Sequence, residues 1–429
     1  MRASRGFSWC EPAFLTTLYI LAFVQVCYSI IGPDISGTVL AAGAVALVVE
    51  GLIPGFISGS HFRLKISPAV GLTGSATVFY VALSAIFYTG DALAEYLRPL
   101  TLTAIFFVFV VLIRAGDYHR DIRLPAVFVV IAVAGVLHLV EFGTAGVGLD
   151  RAVGDTEYRY GFQEDTNRIN VTATNISYLL LTAYILGRSI QGLWPRTAFL
   201  IFAGVLALPL VATGSRAAML IAVVTILLFE LRKVGITKVM ILVSFIIFIL
   251  GVVQNFPDWI GDLFGYAGSR FVALFQGDDM AAQIRFEAIM GAISGDHLIF
   301  GSAKTPTEVF GASTDSSFAS LIISFGLIGL GLFMGLIYLL VRDLFHNSGI
   351  TRVPLFAFVP IAVRGMGEGF FLQQSTIFSL LLFLVAVLHI TQQSVTPFAP
   401  CHSTAKSSRV NGPYSKASGI RSRSLAKDR

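Results

Sequence analysis

One short run of residues, Thr213–Leu220, has the strongest chemical signal in the sequence. Its serine and arginine, Ser215 and Arg216, stand where one long apolar segment ends and the next begins. A helix that begins at about Ala217 has unpaired backbone N–H groups and the positive end of its dipole at this point. A neighbouring guanidinium is unfavourable there unless an anion joins them. The run therefore predicts a binding site for a phosphate or a carboxylate.

The elements that position this site are predicted to lie in a membrane. The 429 residues are 55% hydrophobic and only 13% charged, far from the composition of a soluble domain. Runs of about 20 apolar residues, the length that crosses a hydrocarbon core, predict an all-α polytopic membrane protein with about twelve transmembrane helices. The predicted spans are 13–31, 36–56, 68–89, 98–114, 124–142, 171–187, 197–213, 217–231, 238–256, 316–341, 353–371 and 374–391.

The lysine and arginine residues predict the orientation of these spans. With Met1 in the cytoplasm, most of the 30 basic residues fall in cytoplasmic loops and in the tail, and most of the 25 acidic residues fall in the outer loops. The N- and C-termini are therefore both expected in the cytoplasm. The basic residues are spread beside an anionic leaflet, so the net charge of +5 does not indicate nucleic-acid binding. We predict a transmembrane domain over 1–396 and a disordered basic cytoplasmic tail over 397–429.

Two predicted outer loops are long enough to build a site on the water-exposed side. They span about 143–170 and 257–315, and long loops of this kind are usually functional. Arg159 in the first loop and Arg270 in the second are candidate substrate-binding cations, although the mixed charges around Arg159 also fit a self-paired surface. Arg285 lies on a predicted amphipathic helix, where it either binds substrate or extends to the lipid headgroups.

Polar and charged residues also occur at the ends of predicted spans. Asp315 opens the tenth span, as an ordinary N-cap or as a general base facing a cationic cleft. Arg364 and Glu368 are spaced i,i+4 in the penultimate span, where they either neutralise each other or bind substrate. Asn175 begins an Asn-Ile-Ser glycosylation sequon at a membrane boundary, which we interpret as a chance match.

Three stretches together resemble the O-antigen polymerase and O-antigen ligase family of bacterial inner-membrane glycan-assembly proteins. Thr213–Ala218 is similar to the family's Ser-Arg turn, Arg285–Gly301 to its loop helix and following turn, and Thr314–Leu330 to its segment that re-enters the membrane. The largest outer loop also precedes the last three spans, as in the family. Ligase-type members generally have His-Asn where this chain has Thr-Asp at 314–315, which favours a polymerase.

The resemblance implies a glycosyltransferase that polymerises undecaprenyl-pyrophosphate-linked repeat units into O-antigen or exopolysaccharide. Its active site would face the periplasm and would need no metal and no cofactor. The donor and the acceptor would both be lipid-linked, and a chain-length regulator would be a further class of partner. Such a reaction needs alignment, a base and stabilisation of the departing pyrophosphate. Arg216 is accordingly predicted to clamp the pyrophosphate with Ser215 beside it, Arg285 to add a second cation and Asp315 to act as the base.

Two alternatives stay open. An O-antigen ligase would use the same kind of site to transfer finished glycan to an acceptor. A lipid-glycan flippase or a secondary transporter also fits about twelve spans with both ends inside. Against a transporter, residues 1–196 and 197–391 show no correspondence, and the polar residues are concentrated in outer loops rather than at mid-membrane.

Overall fold

A computed structural model describes most of the chain, and every regular element in that part is a helix. The described residues are 10–31, 33–57, 66–116, 118, 122–144, 166–213, 215–231, 287, 290–291, 298–310, 316–346, 355–367 and 376–393. No strand occurs among them, so the all-α prediction is confirmed for these residues. The predicted span 238–256 and the predicted tail 397–429 lie outside them.

Thirteen helices can be assigned within the described ranges. They are α1 Cys10–Val26, α2 Tyr28–Ile31, α3 Pro33–Ile57, α4 Pro68–Ile86, α5 Leu93–Gly116, α6 Leu124–Thr144, α7 Thr166–Ser189, α8 Leu193–Ala212, α9 Arg216–Leu231, α10 Pro306–Phe310, α11 Ser317–His346, α12 Leu355–Gly367 and α13 Ile377–Gln393. Most bounds agree with the predicted spans to within a few residues. The first predicted span is divided at Cys27 into α1 and α2, and α5 begins at Leu93 rather than at 98.

Five of the described helices are long and apolar enough to cross a membrane. They contain Pro68–Ile86, Leu93–Ala115, Leu124–Glu141, Leu193–Val211 and Ser317–His346. Their outward faces expose large apolar side chains such as Leu72, Phe79 and Ile201. Such surfaces are unfavourable in water and are normal against lipid tails. The fold is consistent with an α-helical membrane protein.

Helices α7 and α13 form the centre of the bundle. Helix α7 packs against α8, α9 and α13, and α13 also packs against α1. Both are buried on every side over long stretches, including Thr172–Ala183 of α7 and Ile377–Leu388 of α13. A helix surrounded by other helices needs no lipid-facing stripe, so polar residues are tolerated when their hydrogen bonds are satisfied by neighbouring helices. This explains why α7 is the least apolar of the long helices.

Helix α11 is not the continuous span that the sequence predicts, because it is broken at Gly326. Gly326 has φ 67° and ψ −173°, a backbone conformation restricted to glycine. The segment 298–302 lies against the break, where the Leu327 N–H donates to the Leu298 carbonyl at 2.8 Å and the Ser302 N–H donates to the Ile323 carbonyl at 2.7 Å. The prediction failed here because residues 321–337 read as one apolar run, and a glycine inside such a run does not by itself indicate a break.

A tyrosine of α4 completes the hydrogen bonding at the break. The Tyr80 hydroxyl lies 3.0 Å from the Phe300 carbonyl and 2.9 Å from the Phe325 carbonyl, so it bridges the loop and the helix. Tyr96 of α5 packs on the Phe325 ring with 4.7 Å between the centroids. These contacts satisfy the backbone groups that the interrupted helix would otherwise leave unpaired in an apolar environment.

A capping box starts the short helix α10. The Thr305 N–H donates to the Glu308 carboxylate at 2.7 Å, and the Glu308 N–H donates to the Thr305 hydroxyl at 3.3 Å. The Tyr88 hydroxyl, between α4 and α5, donates to the same carboxylate at 2.8 Å. The Thr305 N–H lowers the pKa of Glu308, and burial raises the pKa of Tyr88. The end of the large predicted loop is therefore fastened to the α4–α5 connection.

Charged side chains make contacts at both ends of the bundle. We call the end where α9, α11 and α13 begin the site end, and the opposite end the far end. Ion pairs occupy the far end, where Arg114 contacts Asp343 at 2.9 Å and Arg188 contacts Glu230 through two nitrogens, at 2.8 and 3.0 Å. At the site end His138 contacts Glu141 at 3.0 Å and the Val26 carbonyl at 3.0 Å.

Candidate functional site

Ser215 and Arg216 form the N-terminus of the apolar helix α9. The Met219 N–H donates to the Ser215 carbonyl at 3.0 Å, which makes Ser215 the N-cap residue and Arg216 the first residue of α9. The Thr213 hydroxyl accepts from the Ser215 N–H at 3.3 Å and donates to the Leu210 carbonyl at 2.7 Å. Ser215 is buried. The helix start predicted at about 217 is thus confirmed to within one residue; the Arg216 side chain lies outside the described part.

Helix α12 brings a second arginine to the same end of the bundle. Phe229, near the end of α9, packs edge-on against Phe356 in the first turn of α12, with 5.2 Å between the ring centroids. The two helices pack together and therefore run antiparallel. Counting from this pair at 1.5 Å per residue, Arg364 lies opposite the second turn of α9, about 8 Å from Arg216 along the helix axis. Arg364 is fully buried.

The start of α11 meets α12 at the level of Arg364. A Cβ atom on Gly365 would lie 2.6 Å from the Phe318 ring, so the two helices are in close contact there. Ser316 is the N-cap of α11, because its hydroxyl accepts from the Ala319 N–H at 3.4 Å and its carbonyl accepts from the Ser320 N–H at 3.0 Å. The structural role considered for Asp315, that of N-cap, is therefore performed by its neighbour. Asp315 itself lies just outside the described residues.

A network of neutral polar side chains joins α12 to the centre of the bundle. Arg364 donates through Nη1 to the hydroxyl of Thr376, the residue before α13. In the first turn of α13, the N–H groups of Phe378 and Ser379 both donate to the Gln25 side-chain oxygen at 2.9 Å. Asn175 of α7 donates to the Gln25 carbonyl at 2.9 Å and accepts from the Ser379 hydroxyl.

These residues are buried almost completely. Gln25, Asn175, Ser379 and Arg364 are each 0% exposed, and Thr376 is 1% exposed. Burying so many polar groups costs free energy unless each one is hydrogen-bonded. Hydrogen bonds between side chains and backbone groups of four helices, α1, α7, α12 and α13, offset much of that cost. The network therefore fixes where the start of α13 stands relative to α12.

Some of the predicted site residues lie close together in the described part of the chain, and others lie outside it. Ser215, the backbone of Arg216 and the side chain of Arg364 lie at the site end, on two helices in contact. The start of α11, directly after Asp315, adjoins them. Four further predicted residues and Asp315 lie outside the described part: Arg159, Arg270, Arg285 and Glu368. The predicted amphipathic helix around Arg285 is described only at 287, 290 and 291, which are helical.

Sequence reasoning missed the neutral residues of the network. Gln25, Thr376 and Ser379 are single polar residues in apolar runs and give no periodic pattern. The sequence singles out Asn175 only as part of a sequon. Its buried, hydrogen-bonded amide is out of reach of a glycan-transferring enzyme, in agreement with a chance match. The one available signal was the number of polar residues over 172–177, in a segment otherwise predicted to span a membrane.

No protein-family model matches the sequence, and no curated protein matches it significantly. The function must therefore be inferred from the residues of the site and from the motifs that they form.

Proposed function

We propose that the protein is a glycosyltransferase that polymerises oligosaccharide repeat units carried on undecaprenyl pyrophosphate. It acts at the outer face of the bacterial inner membrane and produces O-antigen or exopolysaccharide. The N-terminus of α9, with Ser215 and Arg216, binds the pyrophosphate of the donor. Arg364 supplies a second cation in the same cleft, and Asp315 is the candidate base.

The observation that carries this proposal is the buried Arg364 beside the first turns of α9. A charged side chain at membrane depth is costly and is retained for a function. The positive end of a helix dipole and two arginines within about 8 Å along one axis match a diphosphate, which carries more than one negative charge. Pyrophosphate is also the group on which charge develops as the bond between the donor sugar and its phosphate breaks, so the same contacts stabilise the transition state.

The proposed topology has about twelve spans, with both termini in the cytoplasm and the site end in the periplasm. Three contacts support it, because each joins segments that the positive-inside rule assigns to one side. Arg188 and Glu230 meet at the predicted cytoplasmic side, as do Arg114 and Asp343. Tyr88 and Glu308 meet at the predicted periplasmic side.

Cysteine labelling tests this orientation. We expect Val309→Cys, at the site end, to react with a membrane-impermeant thiol reagent in cells with a permeabilised outer membrane. Gln191→Cys, in the α7–α8 turn at the far end, should react only after the inner membrane is opened. Both variants are made in a background in which Cys10 and Cys401 are serine, and buried Cys27 is kept. The reverse pattern of labelling would overturn the topology.

Deletion of the gene and complementation with variants test the activity. Without the protein, lipid-linked repeat units should accumulate and the surface glycan should be reduced to single units. Wild-type protein should restore long chains, whereas Arg216→Lys, which keeps the charge but loses the planar fork, should restore less than about a hundredth of the polymer. Immunoblotting of membranes checks that both proteins insert equally. Full-length glycan from Arg216→Lys would contradict the clamp.

The same deletion separates the alternatives. Complete lipid-linked polymer that never reaches its acceptor would indicate a ligase. Repeat units trapped in the cytoplasmic leaflet would indicate a flippase. One structural feature favours a transporter, since interrupted helices such as α11 often line transport sites. However, the backbone groups at Gly326 are hydrogen-bonded to residues 298–302 and to Tyr80, so the described break serves packing.

A further inference from the structure

The contact between Arg364 and Thr376 links the proposed cleft to the most rigid part of the bundle. Thr376 stands at the N-cap position of α13, and the Leu380 N–H donates to its carbonyl at 3.1 Å. A hydroxyl in this position commonly accepts from the first turn of its own helix. Here the Thr376 hydroxyl accepts from Arg364 of another helix.

A side chain of another helix, Gln25, caps the first turn of α13. Gln25 of α1 accepts the N–H groups of both Phe378 and Ser379, the donors that an N-cap side chain would normally satisfy. Asn175 in turn holds the Gln25 backbone and the Ser379 hydroxyl. Helices α1 and α7 thus fix the first turn of α13, and the Thr376 hydroxyl accepts from a residue of α12.

We propose that Thr376 is a positioning residue, whose hydroxyl sets the direction of the Arg364 guanidinium towards the pyrophosphate of the lipid-linked donor. This inference rests on the proposed function. A guanidinium has its five N–H donors in one plane, so fixing one nitrogen orients all the others. A diphosphate is recognised by such planar, paired contacts. A guanidinium that rotates freely loses conformational entropy when it binds, which weakens the binding.

Gln25 and Asn175 support Thr376 in this role through the backbone of α13. Their replacement would move the whole first turn of α13, and therefore mix a local effect with a change in folding. A substitution at Thr376 tests the orientation of the Arg364 guanidinium while the contacts of Gln25 and Asn175 with α13 are kept.

The test measures binding of undecaprenyl pyrophosphate to full-length protein in lipid nanodiscs. Thr376→Val removes the hydroxyl at nearly constant volume, and Thr376→Ser keeps it. We expect Thr376→Val to weaken binding about tenfold, or about 1.4 kcal/mol, and Thr376→Ser to stay within about twofold of wild type. Thr391→Val is the matched control, because Thr391 is a buried threonine near the opposite end of α13 whose hydroxyl donates to carbonyls of its own helix, those of Val387 and Leu388.

A double-mutant cycle separates orientation from simple packing. In an Arg364→Lys background the planar guanidinium is gone, so Thr376→Val should cause little further loss. Additive losses would show that Thr376 acts independently of Arg364 and would overturn the inference. Equal binding by wild type and Thr376→Val would overturn it too, while the proposed function would stand. If wild-type protein does not bind undecaprenyl pyrophosphate at all, the proposed function itself fails.

Discussion

Gly326→Ala is expected to destabilise the protein more than any other glycine-to-alanine change on α11. The added Cβ would lie 2.1 Å from the Ile299 carbonyl oxygen and 2.6 Å from the Gly301 nitrogen, and both atoms belong to backbone. The backbone at 326 also has a conformation that alanine avoids. Backbone strain at 326 and displacement of the neighbouring backbone should together lower the free energy of unfolding by roughly 2–5 kcal/mol. The segment 298–302 should detach from the break.

Two other glycines of the same helix serve as controls. Gly331 and Gly335 have no neighbouring atom within 4 Å of an added Cβ, so Gly331→Ala and Gly335→Ala should be neutral or slightly stabilising. The unfolding temperature of all three variants is measured on purified protein in detergent, from the loss of the monodisperse peak on heating. Limited proteolysis should cut Gly326→Ala faster around residues 298–302. If Gly326→Ala unfolds at the same temperature as Gly331→Ala, the interlock described at the break does not stabilise the fold.

The sequence predicted the helices in the described part of the chain well, because the formation of a long apolar helix depends mainly on its own residues. A run of about 20 apolar residues satisfies its own backbone hydrogen bonds and needs no knowledge of its neighbours. The break in α11 depends instead on a partner. Only the approach of Gly301, with φ 80°, and of the Tyr80 hydroxyl makes an interrupted helix favourable at Gly326. No pattern within residues 317–346 contains that information.

The residues of the candidate site also divide into those that can be predicted from the sequence and those that depend on a partner helix. The sequence predicts Arg364 as a site residue because a charge in an apolar run is costly wherever its partners are, and Arg216 because it begins a helix. Thr376, Gln25 and Asn175 have meaning only once α1, α7, α12 and α13 are brought together. Placing a neutral polar residue in a membrane helix costs little free energy when the residue is hydrogen-bonded to a neighbouring helix. Such a residue is therefore a weak signal in the sequence until its partner is known.

Arg364→Lys is expected to abolish most glycan polymerisation while the protein still inserts and folds. Lysine keeps the positive charge, so a site that needs only charge at this position would continue to work. It cannot reproduce the planar fork, and it cannot hold one nitrogen on Thr376 while presenting others in the same plane. Loss of an oriented charged donor to a developing anion costs about 10²- to 10³-fold in rate. Polymer on a glycan gel, with expression kept low so that the enzyme limits synthesis, should fall accordingly.

Arg188→Lys is the matched control at the opposite end of the bundle. Arg188 also makes oriented contacts, with both oxygens of Glu230, but these lie at the far end, away from the proposed cleft. Replacing it should cost at most about 1 kcal/mol of stability and leave chain lengths unchanged, because a partly exposed pair contributes little. Equal losses of polymer in both variants would mean that any disturbed arginine impairs this bundle. A loss confined to Arg364→Lys ties the chemistry to the end where α9, α11 and α12 meet.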